Sequence, residues 1–348
     1  MKTTIKKLPK SEIQIEVVID AKEFESYHDR GFKKVQELTN IDGFRKGHAS
    51  EDVIVKAYGD MIILEEMANI ALRDAYVQAL TEHKLIPVAD PKVTITKLAK
   101  GNPLELNLIV TVMPEITLPD YKKLAQEKVK EQTVETVTNE EIETVVEELR
   151  KGRATHNHHE HDHKEGEECK HEPVLPELND EFAQSFGDSF KNLDDLKSKV
   201  GENLKLEKEQ KHKEKVRSGI METLITESKS DLPEVMIEQE LDRMFAQMKH
   251  DVTRYGGTFE DYLKHSGKTE ADLRNDWRND AIKRTMSQLI LAEISLIEKI
   301  KPTDEEIETE LVRILATIQG ADEERARAYL FQAITNDKVL KFLEGDKK

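Results

Sequence analysis

Residues 11–20 read SEIQIEVVID, with apolar side chains at Ile13, Ile15, Val17 and Ile19. Strict alternation places one set of side chains on each face of an extended chain, so the segment reads as a half-buried strand. At residue 21 the period changes. Phe24, Tyr27, His28, Phe32 and Val35 share one face of a helix over 21–39. The stretch DGFRKGHAS at 42–50 interrupts it, because Gly43 and Gly47 permit backbone angles that other residues avoid. A long helical stretch follows, opened by Val53, Ile54, Ala57 and Tyr58 and continued by apolar residues from Ile62 to Leu80. Residues 92–98 (KVTITKL) and 104–113 (LELNLIVTVM) alternate again and read as paired strands, with Gly101 and Asn102 in the turn. The order β-α-loop-α-β-β predicts an α+β domain over 1–115, an antiparallel sheet with two helices.

Beyond it the pattern is helical. Residues 116–150 read as an extended linker followed by an arm helix, TNEEIETVVEELRKG, which opens on the capping box of Thr138 and Glu141. The same opening recurs at Thr303, as TDEEIETELVRI. Residues 151–173 form a His-rich, low-complexity linker, and 174–348 predict an all-α domain with helical arms. There Pro233 restarts a helix in its first turn, Gly256-Gly257 breaks it, and further helices are expected near 258–265, 269–299 and 303–344.

The 348 residues exceed what one core usually serves. A net charge of −17 removes any general affinity for nucleic acid, so an RNA-rich partner must be met through a local basic patch. Cys169 is the only cysteine, which excludes an intramolecular disulfide framework. The N-terminus lacks a signal-type apolar run, and no stretch approaches the roughly 20 apolar residues of a membrane span. A cytosolic protein without a membrane partner is expected. Phosphate-binding glycine loops and nucleophile elbows are absent from the sequence, so work on other proteins would be ATP-independent and no enzyme is expected.

Three groups of residues could carry function. His156, His158, His159, His161, His163, Cys169 and His171 offer imidazole and thiolate ligands for Zn or Ni, the alternative being a solvated linker. Residues 159–163 match the H-E-x-x-H pattern of zinc peptidases, but from 155 to 172 only Cys169 is apolar, so no helix could be held against a core. Met236, Leu241, Met244, Phe245 and Met248 are either ordinary core or an adaptable surface for unfolded clients. Phe44, Arg45 and Lys46 stand either on a structural turn with Phe44 folded inward or on an exposed docking tip.

The elements around DGFRKGHAS, followed by AYGDMIILEEMANIALRDAYVQALTEHKLIPVADPKVTI, resemble the ribosome-binding domain of trigger factor, a bacterial chaperone family. The family signature G-F-R-x-G-x-x-P is met by Gly43-Phe44-Arg45-Lys46-Gly47, with Tyr58-Gly59 following. Residues 174–190 (VLPELNDEFAQSFGDSF) and 231–244 (DLPEVMIEQELDRM) resemble the family's entry into the helical domain and its arm region. The resemblance implies a cofactor-free bacterial chaperone that docks near the exit tunnel of the large ribosomal subunit through Phe44, Arg45 and Lys46, supported by Gly43 and Gly47. It would shield unfolded or nascent polypeptides, and a homodimer of the free protein is left open.

Two departures stand out. Ser50 replaces the signature's final proline. The FK506-binding-type prolyl isomerase domain usual in the family is replaced by the His-rich tract. Residues 151–176 contain no Phe, Tyr or Trp to line a proline pocket, so isomerase activity is expected to be absent. Two other readings remain: a metal-binding chaperone or metal buffer, and a cytosolic holdase that does not meet the ribosome.

Overall fold

The alternating stretch becomes a central strand because its apolar face has somewhere to go. In the computed structural model, which describes residues 1–131, 133, 135–157, 175–187, 190–318 and 320–345, β1 (Lys2–Leu8) and β2 (Glu12–Ile19) form a hairpin. Helices α1 (Ala21–Glu25), α2 (His28–Leu38), α3 (Glu51–Tyr58) and α4 (Met61–Glu82) follow. Then come β3 (Lys92–Lys97), β4 (Leu104–Thr111) and the short β5 (Ile116–Thr117). The main sheet is antiparallel with order β1-β2-β4-β3. In its register Ile13, Ile15, Val17 and Ile19 stand opposite Val110, Leu108, Leu106 and Leu104, and all eight are buried. Each such side chain contributes about 1.5–3 kcal/mol when it leaves water.

This face packs with α2 and α4 into one core. Ala68, Ala71, Ala75 and Ala79 form a buried stripe on α4, so the helix backbone can lie close to its neighbours. On α2 the close approach is made by Gly31: a Cβ there would stand 2.6 Å from Met67 Cγ and 3.1 Å from Met67 N.

The expected α+β class is confirmed, with three corrections in detail. β1 carries only Ile5 and Leu8 as large apolar residues, so its sequence reads as polar although the ladder to β2 orders it. The first expected helix is two, α1 and α2, and the second breaks at Gly59, which adopts φ +87. The part of 116–150 that precedes the arm helix, expected to be an extended linker, contains β5 and α5 (Tyr121–Glu131). Only Ala125 is fully buried on α5, a stripe too thin to announce a helix in the sequence.

The chain continues as α6 (Asn139–Asn157), α7 (Asp180–Gln184), α8 (Leu193–Glu227), β6 (Lys229–Ser230), α9 (Glu234–Arg254), α10 (Phe259–Ser266), α11 (Glu270–Glu298), α12 (Asp304–Thr317) and α13 (Glu323–Leu343). Two compact units result. One combines Met1–Pro119 with Glu227–Ile297; the other combines Asp120–Thr226 with the residues from Glu298 onward. The helical stretch expected as one domain over 174–348 is thus shared between them.

In the first unit, the tight β1–β2 turn puts Lys10 and Ser11 in the left-handed region, at φ +60 and +53. Asp231 holds it there. Its carboxylate accepts from the Lys10 backbone N–H, and its carbonyl accepts from Ser11 Oγ at 2.7 Å. β5 pairs with β6, fastening the start of α9 to the sheet region. In the second unit both expected capping boxes form. Thr138 N donates to Glu141 at 2.9 Å, and Thr303 N donates to Glu306 at 2.7 Å. α6, α7 and α8 share a core of Val146, Phe182, Ala183, Leu196 and Val200, while α12 and α13 pair through Ile307, Leu311 and Leu330. Arg217 on α8 binds Glu344 at 2.6 Å and Asp337 at 3.0 Å.

Gly31→Ala is expected to destabilise the first unit. Overpacking against Met67 costs about 1–3 kcal/mol, more than the roughly 0.5–1 kcal/mol that alanine gains over glycine inside a helix. A lower urea midpoint than the parent's is the expected result; an equal or higher one would show that α2 and α4 do not need the close approach.

Candidate functional site

The loop between α2 and α3 is built from two consecutive four-residue turns. Phe44 N donates to Ile41 O at 3.1 Å, and His48 N donates to Arg45 O at 3.0 Å. Gly43 and Gly47 occupy the third position of each turn, at φ +85 and +81. A type II turn requires positive φ there, and glycine supplies it without steric cost. A Cβ at either glycine would meet nothing within 4 Å, so the requirement comes from the backbone angle and not from space.

Both ends of the loop are tied to helices. The Gln36 carbonyl accepts from Gly47 N at 3.2 Å, and its side-chain amide donates to Ala49 O at 2.6 Å. Ala49 itself is buried. On the other side Tyr58 Oη donates to Asn40 O at 3.0 Å. The tip is thereby held out from the core. Phe44 is 45% exposed, which removes the inward-folded alternative. Arg45 and Lys46 are exposed, and neither forms an ion pair among the described residues.

Ser50 closes the loop as the residue before α3, with φ −71 and ψ 160. That φ is the one a proline ring imposes. Its side chain makes no capping hydrogen bond, while its carbonyl accepts from Val53 and Ile54. Serine therefore keeps the backbone path that a proline at this position would enforce.

The five residues expected on α9 divide. Leu241 and Phe245 are buried, a correction to their assignment as a client surface. Leu241 packs with Ile237 and Ala281, beside Trp277 and Ile282. The Phe245 ring lies 4.7 Å from Trp277, with the Arg274 guanidinium 5.0 Å from its centre. They join α9 to α11, because a lone amphipathic helix has no other place for its stripe. Met236, Met244 and Met248 are half-buried and remain accessible in part.

Exposed apolar side chains that the periodicity did not flag occur elsewhere. On the α12–α13 pair and its connection, Val312, Leu315, Ile318, Tyr329 and Phe331 face solvent. The available signal was apolar residues lying off the Ile307–Leu311–Leu330 stripe. Of the His-rich group, His156 falls within α6. His158, His159, His161, His163, Cys169 and His171 lie outside the described residues. Among the described residues no cluster of three His, Cys, Asp or Glu is arranged to hold a metal ion. No helix among them is long and apolar enough to cross a membrane.

An α+β unit with a solvent-presented Phe-Arg-Lys tip, joined in sequence to long helices that leave apolar side chains in water, has the make-up of a chaperone. Comparison with known proteins specifies which kind. The family model described as bacterial trigger factor protein matches residues 1–149, and that of the trigger factor C-terminus matches 192–344. The chain belongs to the trigger factor family. It is 29% identical to the trigger factor of Bacillus mycoides (strain KBAB4) over 390 residues, covering 90% of this chain and 91% of that protein. With the trigger factor of Clostridium tetani it is 26% identical, covering 100% and 99%. That alignment runs over 430 positions against the 348 residues of this chain, so the relative is longer within the aligned region. A solved structure from work on promiscuous substrate recognition in folding and assembly activities of the trigger factor chaperone shares the fold, with a TM-score of 0.63 at 18% identity. The match covers 99% of this chain and 100% of that one.

Because Ser50 already holds a proline-like φ, Ser50→Pro is expected to be accepted and to raise stability by about 0.4–1 kcal/mol through the unfolded chain. Thermal unfolding of the two proteins checks this; a clearly lower melting temperature in the variant would mean the loop exit differs from the one described.

Proposed function

We propose that the protein is an ATP-independent chaperone of the bacterial cytoplasm that docks on the large ribosomal subunit near the exit tunnel. There it shields apolar segments of nascent or unfolded chains, without prolyl isomerase activity. The observation that carries the docking reading is the loop tip: two glycine turns hold Phe44 in solvent beside two cations that have no ion-pair partner among the described residues. Such a tip combines an apolar anchor with charges able to meet phosphates or a carboxylate. Net repulsion between a −17 chain and the ribosome leaves binding dependent on this local patch.

Client binding is drawn from the exposed apolar residues on α12 and α13 and the half-buried methionines of α9. Each buried methylene contributes only about 0.8 kcal/mol, so scattered contacts hold a chain and still release it. The absence of isomerase activity rests on sequence. Residues 150–191 match neither family model, and from 151 to 176 there is no Phe, Tyr or Trp. Catalysis above background in a proline-limited refolding assay would contradict it.

A second reading attaches to the His-rich tract on its composition alone: six histidines and Cys169 between residues 156 and 171 make it a candidate for Zn or Ni uptake. Calorimetric titration against a variant lacking 156–171 is expected to show binding only in the parent. Equal binding by both would remove the tract from the metal reading.

For docking, the triple variant Phe44→Ala, Arg45→Ala, Lys46→Ala is expected to stay in the supernatant when the parent co-sediments with ribosomes at moderate salt. Loss of one centrally buried aromatic anchor alone typically costs about 2 kcal/mol or more, roughly thirtyfold in affinity. If the variant pellets as well as the parent, the loop is not the docking site.

A further inference from the structure

A groove of about 800 Å³ lies where the β1–β2 turn, the C-terminus of α4 and the β5–β6 pair meet, and all its lining belongs to the first unit. That volume is within the roughly 300–1,000 Å³ of ligand sites. The floor is a short extension of the sheet. Pro87 bridges to Val112 in antiparallel fashion. Met113 N donates to Ile86 O at 2.8 Å, Val88 N to Thr111 O at 2.9 Å and Val112 N to Ser11 O at 2.9 Å. This register sets Ile86 opposite Met113 on one face. Their backbones are pinned, yet the side chains stand in solvent, 63% and 43% exposed.

The carboxylates of the lining are already engaged. Glu115 meets Lys7 at 3.1 Å, Glu12 meets Lys92 at 3.6 Å, and Asp231 holds the β1–β2 turn. Three basic side chains of the lining, His83, Lys84 and Lys229, are exposed and have no hydrogen-bond or ion-pair partner among the described residues. What the groove leaves open is therefore a place for an anion beside an apolar floor. Lys84 occupies a costly position. α4 closes with Leu85 N donating to Leu80 O at 2.9 Å and Lys84 N to Thr81 O at 3.4 Å, and Lys84 adopts φ +51. Glycine is the usual residue at such a helix end, because a side chain is strained there. Lysine in its place weakens the helix end and puts a free cation in the groove.

We propose that this groove is a subsite for extended polypeptide segments that carry Asp or Glu beside apolar side chains. Ile86 and Met113 take the apolar groups, and Lys84 and Lys229, with His83, take the carboxylates. The proposal rests on the chaperone reading above and deepens it by naming a class of client segment. At long range the net charge of −17 repels an acidic peptide. A preference for acidic segments has to come from a local set of unengaged cations, and this groove supplies one.

The test is fluorescence anisotropy with two labelled, unstructured peptides that share their apolar residues and bear either Asp or Asn at the same two positions. The parent is expected to bind the Asp peptide about fivefold more tightly, as two partly exposed charge pairs would give. Lys84→Gln/Lys229→Gln is expected to abolish that difference and keep the affinity for the Asn peptide. Lys84→Gly should melt no lower than the parent, since glycine suits the helix end, and still show a reduced Asp preference, a combination that misfolding could not produce. Ile86→Ser/Met113→Ser, at exposed positions, is expected to weaken both peptides roughly tenfold. No Asp preference in the parent, or an undiminished one in the glutamine variant or in Lys84→Gly, overturns the proposal. If the serine variant binds peptide as the parent does, the apolar floor is not the site; if it also dissolves a dimer in sedimentation velocity, a second copy covers the groove, and the proposal falls either way. Suppression of aggregation of an unfolded protein is measured alongside. Its absence in the parent sinks the chaperone reading, while the peptide comparison still decides the groove.

Discussion

The paired apolar faces of β2 and β4 are the constraint on which the first unit depends. Four residues of each strand face each other and are sealed by α2 and α4. A slip of one residue in this register would turn Ile13, Ile15, Val17 and Ile19 to solvent and their polar neighbours inward, so the hydrophobic pattern admits one pairing. With the sheet fixed, α2 is fixed through Gly31 against Met67. The loop that α2 delivers is then fixed by the two hydrogen bonds of Gln36. A functional tip on a loop needs this kind of support, because a rigid scaffold is what gives an exposed side chain a defined position.

The loop also shows how exposure of an aromatic is maintained. Phe44 could gain by folding inward, since burial of its ring is favourable. Two turns in sequence, each closed at a glycine of positive φ and tied to Gln36, hold the tip outward against that collapse. Ser50 completes the arrangement with a φ that proline would have imposed. The replacement thus changes the rigidity of the unfolded chain and not the course of the folded one.

Elsewhere the molecule keeps apolar side chains in water while its charge opposes self-association. Val312, Leu315, Ile318, Tyr329 and Phe331 are exposed in a chain of net charge −17, and net charge of that size favours solubility. The helices that present them are held by caps, ion pairs and thin apolar stripes. Arg217 illustrates the second: its hydrogen bonds to Glu344 raise the guanidinium pKa further, against a partial desolvation cost, so its charge is kept at any working pH. Likewise burial, reinforced by the hydrogen bond to Glu298, pushes the Tyr121 hydroxyl up to about 12. α5 is therefore attached through a neutral phenol.

The sequence by itself determined the strands at 11–20, 92–98 and 104–113, the glycine turns, both capping boxes and the α+β plus helical class. Each is set by local periodicity or by the angles one residue permits. It left β1 and α5 unread, since a polar edge strand and a helix burying one alanine owe their order to neighbours distant in the chain. It could not divide the methionine helix into core and surface. Leu241 and Phe245 have the same composition signal as Met244 and Met248, and only the packing of α11 tells them apart. Nor could it show that α9 to α11 form a unit with the N-terminal sheet. That association includes the β5–β6 pairing and Asp231 meeting the β1–β2 turn some 220 residues away, long-range hydrogen bonds that no local pattern encodes.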